Sequence, residues 1–78
     1  MPTVKRFNRC RIAMYFIDHP PPHFHVLAND GREAAFVIET LACFAGSVDA
    51  RDSEEALTWA AGNRATLLAL WQQYSEGE

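Results

Sequence analysis

The chain has 78 residues, enough for one small domain and too few for two, so we treat residues 1–78 as a single domain. Apolar residues make up 49% of it and charged residues 22%, a balance that is typical of a globular protein and excludes a disordered one. No stretch approaches the roughly 20 apolar residues of a membrane-spanning helix. Two cysteines are too few for the disulfide framework of a small secreted domain, so we expect reduced thiols and a cytoplasmic protein.

The formal net charge of −3 is unevenly distributed. Residues 1–32 hold five basic and two acidic side chains, a net charge of +3, whereas residues 33–78 hold two basic and eight acidic ones, a net charge of −6. A basic half suits an anionic partner such as RNA, a phosphate group or an acidic protein. In the plainer interpretation, the two halves neutralise each other in the fold.

Alternating apolar and polar residues predict a sheet in the first half of the chain. The predicted strands are residues 4–7, 9–17, 23–27, 32–40 and 41–45. Three consecutive prolines at 20–22 form a stiff linker between the second and third strands, because proline fixes φ and has no N–H to donate. The Asn-Asp-Gly sequence at 29–31 predicts a turn, so the third and fourth strands should form a hairpin.

The spacing of apolar residues changes to three and four in the last third of the chain, which predicts helices. Asp52 or Ser53 can cap a helix over 52–61, and Gly62 offers a left-handed stop. Asn63 can cap a second helix, although one bent helix is an alternative. The predicted fold class is therefore α+β: a small, mainly antiparallel sheet of three to five strands, followed by two C-terminal helices packed on one face.

All three histidines fall in one short window, at His19, His23 and His25. His23 and His25 are two apart in a predicted strand, so their side chains share a face. Three imidazoles with a free coordination position can bind zinc or another divalent metal. In this metal-binding alternative, Asp18 or Glu33 supplies a fourth ligand or orients a ring from behind.

A second chemistry needs no cofactor. One histidine of the same three can take a proton from an attacking hydroxyl of RNA and another can donate one to the leaving oxygen. Arg9 and Arg11 on the neighbouring strand are the predicted anion contacts. In a purely structural interpretation, His23 and His25 are surface strand residues, His19 hydrogen-bonds the turn, and the prolines protect the sheet edge from aggregation.

The sequence resembles the bacterial domain of unknown function 4160 family over nearly the whole chain. The residues that carry the resemblance are the opening Met1-Pro2-Thr3-Val4, Arg6-Phe7, the segment Asp18-His19-x-Pro21-Pro22-His23-Phe24-His25-Val26, Trp59-Ala60, and Leu67-Leu68-x-x-Trp71. Pro20 departs from the family pattern, in which a polar or small residue is frequent. The resemblance implies a small α+β domain with a partner protein, encoded in a pair resembling a toxin–antitoxin module, and an RNA-directed activity. It supplies no list of catalytic residues.

The predicted function is therefore a toxin–antitoxin-like component that binds a small partner protein and acts on RNA through the face of His19, His23 and His25. The alternatives are a metal-binding protein that uses the same three histidines, and a structural homo-oligomer that pairs through an exposed strand edge. No cofactor is expected in the first case, and a divalent metal such as zinc is expected in the second. No membrane contact is predicted.

Overall fold

The computed structural model describes residues 2–77. Met1 and Glu78, which the predictions include in the opening motif and in the acidic half, lie outside the described residues. The strands and helices are β1 Thr3–Arg6, β2 Cys10–Ala13, β3 His23–Ala28, β4 Glu33–Val37, β5 Cys43–Gly46, α1 Ala50–Ala61 and α2 Arg64–Ser75. The predicted α+β class, a sheet followed by two C-terminal helices, is confirmed.

The sheet is a simple meander in which each strand pairs with the next one in the sequence. Every pairing is antiparallel. The predicted turn between β3 and β4 forms as expected, with Gly31 at φ 96°, a conformation that glycine adopts at little cost. The Gly31 N–H donates to the carbonyl of Ala28 at 3.0 Å. Local turn chemistry therefore determines the central hairpin.

Two strands are several residues shorter than predicted. β2 ends at Ala13 rather than at residue 17, and residues 14–22 form a long connection to β3. β4 ends at Val37, because the chain turns there and the Leu41 N–H donates back to the Val37 carbonyl at 2.7 Å. Leu41 has φ 63° in this turn, so it does not begin the last strand as predicted. Apolar alternation continues past the point where strand pairing stops, and the sequence alone does not mark that point.

The C-terminal segment forms two separate helices of 12 residues each. α1 begins at Ala50 with Asp49 as its N-cap, earlier than the predicted cap at Asp52 or Ser53. Gly62 has φ −91°, so the predicted left-handed stop is wrong and the helix ends in a right-handed turn. Within residues 2–77, no helix is long and apolar enough to cross a membrane.

The core lies between α1 and one face of the sheet. Alternate residues of β2, β3 and β4 point into it, and α1 contributes Ala56 and Ala60, whose small side chains let the helix approach the strands. Leu67 of α2 is also fully buried. The buried residues of this cluster are Cys10, Ile12, Met14, Phe24, Val26, Ala34, Phe36, Ile38, Ala56, Ala60 and Leu67. The opposite side of the sheet, which we call the histidine face, carries the intervening residues of these strands.

The two cysteines are both free thiols in different environments. Cys10 is buried against α1, and this burial is the largest cause that raises the pKa of its thiol above the ordinary value; the negative charges of Glu55 and Asp52 also raise it. Cys43 lies exposed on β5. Because the thiolate is the reactive form, Cys10 should be protected twice, by burial and by its raised pKa.

We therefore expect an aromatic disulfide reagent to label one thiol of the native protein at neutral pH and both thiols after denaturation. The Cys43→Ser variant should be unreactive until it unfolds. The raised pKa also means that Cys10 stabilises the fold fully below the pKa of the unfolded thiol, and that this contribution is lost as the pH rises through the folded pKa. Rapid labelling of native Cys43→Ser would show that Cys10 is not in the core.

Candidate metal centre on the histidine face

Strand register places small residues on both sides of His25. Ala13 of β2 and Ala35 of β4 are its direct cross-strand partners, and Ala45 of β5 pairs with Ala35. Directly opposite residues project to the same face, so His25 stands in a row of alanines. A cavity of about 150 Å³ opens there, lined by His25, Glu33, Ala35 and Ala45 among others. The small neighbours therefore leave space beside the imidazole.

The connection between β2 and β3 brings Asp18 to the same place. Ile17, just before it, has φ 51°, a left-handed conformation that is unusual for a β-branched residue and costs about 1–3 kcal/mol. The Ile17 N–H donates to the carbonyl of Tyr74 in α2 at 3.0 Å, which holds this turn. The bond between Pro20 and Pro21 is cis. Asp18 is thus positioned by a turn that is fastened to the C-terminal helix.

Three ligand-type atoms converge in this position. Asp18 Oδ2 lies 2.9 Å from His23 Nε2 and 3.5 Å from His25 Nε2. One ligand atom from each of the three residues lies within 4.8 Å of the other two. Ligands at about 2.0–2.2 Å from one tetrahedral zinc ion are themselves about 3.3–3.5 Å apart, so the spacing fits a shared ion with little adjustment.

The far nitrogen of each imidazole is also held by an oxygen acceptor. His23 Nδ1 lies 2.7 Å from the carbonyl oxygen of Pro21, and His25 Nδ1 lies 3.0 Å from Glu33 Oε2. The Tyr15 hydroxyl donates to the same Glu33 oxygen at 3.1 Å. Histidines that bind a metal commonly donate their second N–H to a carbonyl or a carboxylate in this way. These contacts turn both Nε2 atoms toward Asp18.

The number of protons in this cluster points to a cation. A neutral imidazole carries one N–H, yet each ring has an oxygen acceptor at both of its nitrogens. When the two Nδ1–H groups donate to the Pro21 carbonyl and the Glu33 carboxylate, both Nε2 lone pairs face the Asp18 carboxylate. Either additional protons or a metal ion must bridge these atoms, because adjacent lone pairs repel. A divalent cation can bind both Nε2 atoms and the Asp18 carboxylate oxygen at once.

Aromatic rings surround the two histidines. The His23 side chain is 6% exposed, and its ring contacts the rings of Phe44 and Trp71 at centroid distances of 5.0 and 4.9 Å. The Tyr15 ring lies edge-on to His25 at 4.4 Å. This apolar surround limits solvent access and strengthens the electrostatic interactions within the cluster. Asp18, whose side chain is 21% exposed, marks the more open side.

The pKa values of two groups are shifted by this environment. Burial acts to raise the pKa of Asp18, but the His19 backbone N–H and the contacts with His23 and His25 outweigh it, so the pKa lies below the ordinary value. Asp18 is therefore an anion at neutral pH, as a metal ligand must be. The pKa of Tyr15 is raised, first by burial and then by its hydrogen bond to Glu33.

The structure brings together two of the three predicted histidines. His23 and His25 converge, whereas His19 is exposed and lies outside the convergent group formed by the described residues. Its backbone N–H donates to Asp18 Oδ1 at 2.8 Å, so His19 positions the aspartate rather than adding a ring. Asp18 takes the third place in this group, and Glu33 contacts the far nitrogen of His25, where an acid would orient the ring.

Arg9 and Arg11, the two predicted anion contacts, lie in different parts of the structure. The Arg9 guanidinium lies 3.3 Å from Asp52 of α1, which neutralises it. Arg11 projects from the histidine face and donates to the Thr3 hydroxyl at 2.7 Å. Sequence reasoning missed Tyr15 as a partner of Glu33. Its position two residues beyond Ala13 in the β2 alternation is a signal that could have placed it on this face.

Comparison with known proteins gives a family and no closer relative. The family model described as "Domain of unknown function (DUF4160)" matches residues 10–72, about four fifths of the chain, including both histidines and both acidic residues of the cluster. No curated protein and no solved structure matches the chain. By the extent of this match, the protein belongs to the DUF4160 family, a family of unknown function.

Proposed function

We propose that this protein binds a divalent transition metal through Asp18 Oδ2, His23 Nε2 and His25 Nε2. The observation that carries the proposal is the orientation of the two rings: each Nδ1 is held by an oxygen acceptor, and both Nε2 atoms face one carboxylate oxygen. Two imidazoles and one carboxylate suit zinc or iron(II) better than calcium or magnesium, which prefer oxygen ligands.

Three protein ligands leave a coordination position free, which is the pattern of catalytic rather than structural zinc sites. A water bound there would have its pKa lowered to near 7 and would serve as a nucleophile for hydrolysis. Glu33 and Tyr15 then hold the His25 ring in one orientation, and the cavity beside His25 gives a ligand room to approach. The proposed activity is therefore metal-dependent hydrolysis.

Calorimetric titration of the untagged wild-type protein with zinc is the direct test. We expect one zinc ion per chain, removed by EDTA. Zinc at a hundred times its Kd should stabilise the fold by about 2.7 kcal/mol and raise the melting temperature by roughly 10–20 °C for a domain of this size. Absence of both the binding heat and the thermal shift, repeated with iron(II) under anaerobic conditions, would refute the proposal.

The sequence-based prediction of a toxin–antitoxin-like component that acts on RNA is the second candidate. One contact favours it: His25 lies between the Asp18 and Glu33 carboxylates, so its ring can hold and release a proton without a metal. RNA cleavage that persists in EDTA and is lost in His25→Ala would favour this reaction. Cleavage that stops in EDTA would favour the metal.

A partner protein or a second copy of the chain has a surface available. All four residues of the edge strand β5 are exposed, and Phe44 on this strand is 47% exposed. An uncovered edge strand presents backbone groups that can pair with another strand. The homo-oligomer alternative uses this kind of edge, and a partner protein can bind the same edge. Sizing the protein alone and with its partner separates the two.

A further inference from the structure

Two arginines face each other across β1 and β2. Arg6 and Arg11 are direct cross-strand partners, and residues opposite one another in an antiparallel pair project to the same face. Like charges in this arrangement destabilise a sheet. Within residues 2–77, no carboxylate lies at ion-pair distance from either guanidinium. The pair therefore lacks the neutralisation that its neighbours have.

The other arginines of the basic half are paired with acidic residues. Arg9 lies 3.3 Å from Asp52, and Arg32 lies 3.4 Å from Asp49. The acidic half of the chain thus neutralises the basic half at these positions and leaves Arg6 and Arg11 uncompensated. An anion from outside the chain would relieve their mutual repulsion.

The space beside the pair has the size for such an anion. Both arginines line a cavity of about 230 Å³, together with Leu27, Asn29 and Gly31 among others. One water molecule occupies about 30 Å³ in the liquid, so the cavity has room for a tetrahedral anion and several waters. Arg11 uses one Nη to hold the Thr3 hydroxyl, and its remaining N–H groups are available. No side-chain hydrogen bond joins Arg6 to another described residue.

Strand register connects this pair with the metal centre. Arg11 pairs with Leu27, and Leu27 pairs with Glu33, whose carboxylate holds His25. Ala13, the partner of His25, is two residues from Arg11, which is about 7 Å along a strand.

We infer that Arg6 and Arg11 form an anion subsite that takes the phosphate group of a phosphate ester, adjacent to the metal centre on the histidine face. Two guanidinium forks match a phosphate better than a carboxylate, because a phosphate offers enough oxygens for both. The role of this subsite in placing a substrate rests on the proposed function, whereas phosphate binding by the two arginines does not. Arg6 lies outside the segment matched by the family model, so the pair is inferred from this chain alone.

The test measures binding of two probes to the metal-free protein in EDTA: inorganic phosphate and a short single-stranded RNA. Amide chemical shifts should move saturably for residues around Arg6 and Arg11. Removing one charge-assisted contact by Arg6→Gln or Arg11→Gln should weaken binding roughly ten- to a hundredfold. The matched control is Arg51→Gln, which removes the same charge from an exposed position on α1 and should leave the affinity nearly unchanged.

The two probes also identify the source of the phosphate. Binding of RNA with competition by phosphate supports a phosphodiester ligand, and binding of phosphate alone supports a small phosphate ester. The inference fails if neither probe binds, or if Arg51→Gln weakens binding as much as Arg6→Gln does. If Arg11→Gln unfolds because its hydrogen bond to the Thr3 hydroxyl is lost, the result for Arg6→Gln alone decides the test. Arg6 is exposed, so its replacement should leave the fold intact.

The same experiment on Asp18→Asn separates this inference from the proposed function. Phosphate binding should persist in that variant, because Asp18 does not line the arginine cavity. If the wild-type protein binds phosphate but no zinc, only the proposed metal site is refuted. Zinc binding without phosphate binding would refute only the subsite.

Discussion

Replacing Asp18 by asparagine should weaken zinc binding by more than about 100-fold, since loss of outer-shell partners alone costs roughly 10–100-fold. The amide has nearly the same shape as the carboxylate but lacks the negative charge that both Nε2 atoms face. Asp18 is partly exposed and outside the core cluster, so the fold should survive. Zinc affinity is measured by competition with a chromogenic chelator, and folding by circular dichroism.

His19→Ala is the matched control, because it removes an imidazole from the adjacent position. Its ring lies outside the convergent group, and its backbone N–H, which remains in the variant, makes the contact with Asp18. Zinc affinity should therefore be unchanged. Equal loss in His19→Ala and His23→Ala, with Asp18→Asn still binding, would instead support the three-histidine site predicted from the sequence.

Phe24→Ala should have the largest effect on stability. Phe24 is fully buried, and its ring stacks on Phe36 with centroids 5.8 Å apart. Truncating a buried phenylalanine costs about 3–5 kcal/mol, through lost apolar burial and the cavity that remains. A chain of this size has a free energy of unfolding of roughly 4–12 kcal/mol. The variant should therefore be largely unfolded at 37 °C or have a greatly reduced urea midpoint.

Phe44→Ala makes the same chemical change at a position that is 47% exposed. It should cost less than about 1 kcal/mol, because nearly half of the side-chain surface already contacts solvent. Urea unfolding followed by circular dichroism compares the two variants. If Phe24→Ala lowered the free energy of unfolding by less than about 1 kcal/mol, the core would not lie between α1 and the sheet face that carries Phe24.

Much of the fold is predictable because its signals are local. Alternation in β3 places Phe24 and Val26 on one face and His23 and His25 on the other, and the core cluster contains the first pair and neither histidine. The Asn-Asp-Gly turn forms the hairpin as predicted, and two helices follow. The ends of β2 and β4 were predicted wrongly, because strand pairing depends on a partner and not on the pattern of the strand itself.

The candidate site was predictable only in part. The pairing of His23 with His25 follows from a period of two. The choice of Asp18 over His19 depends on the left-handed turn at Ile17, which is held by a hydrogen bond to Tyr74, more than 50 residues away in the sequence. No local pattern contains that contact.

The sequence by itself therefore determined the class of fold, the two faces of the central strands and the concentration of basic and histidine residues in the first 32 positions. Tertiary structure decided which of these residues meet. Register paired Arg6 with Arg11 and set Glu33 beside His25, while packing of α1 neutralised Arg9 with Asp52. The physical reason is that the face of a side chain is set by its own strand, whereas its neighbours across the sheet are set by contacts distant in sequence.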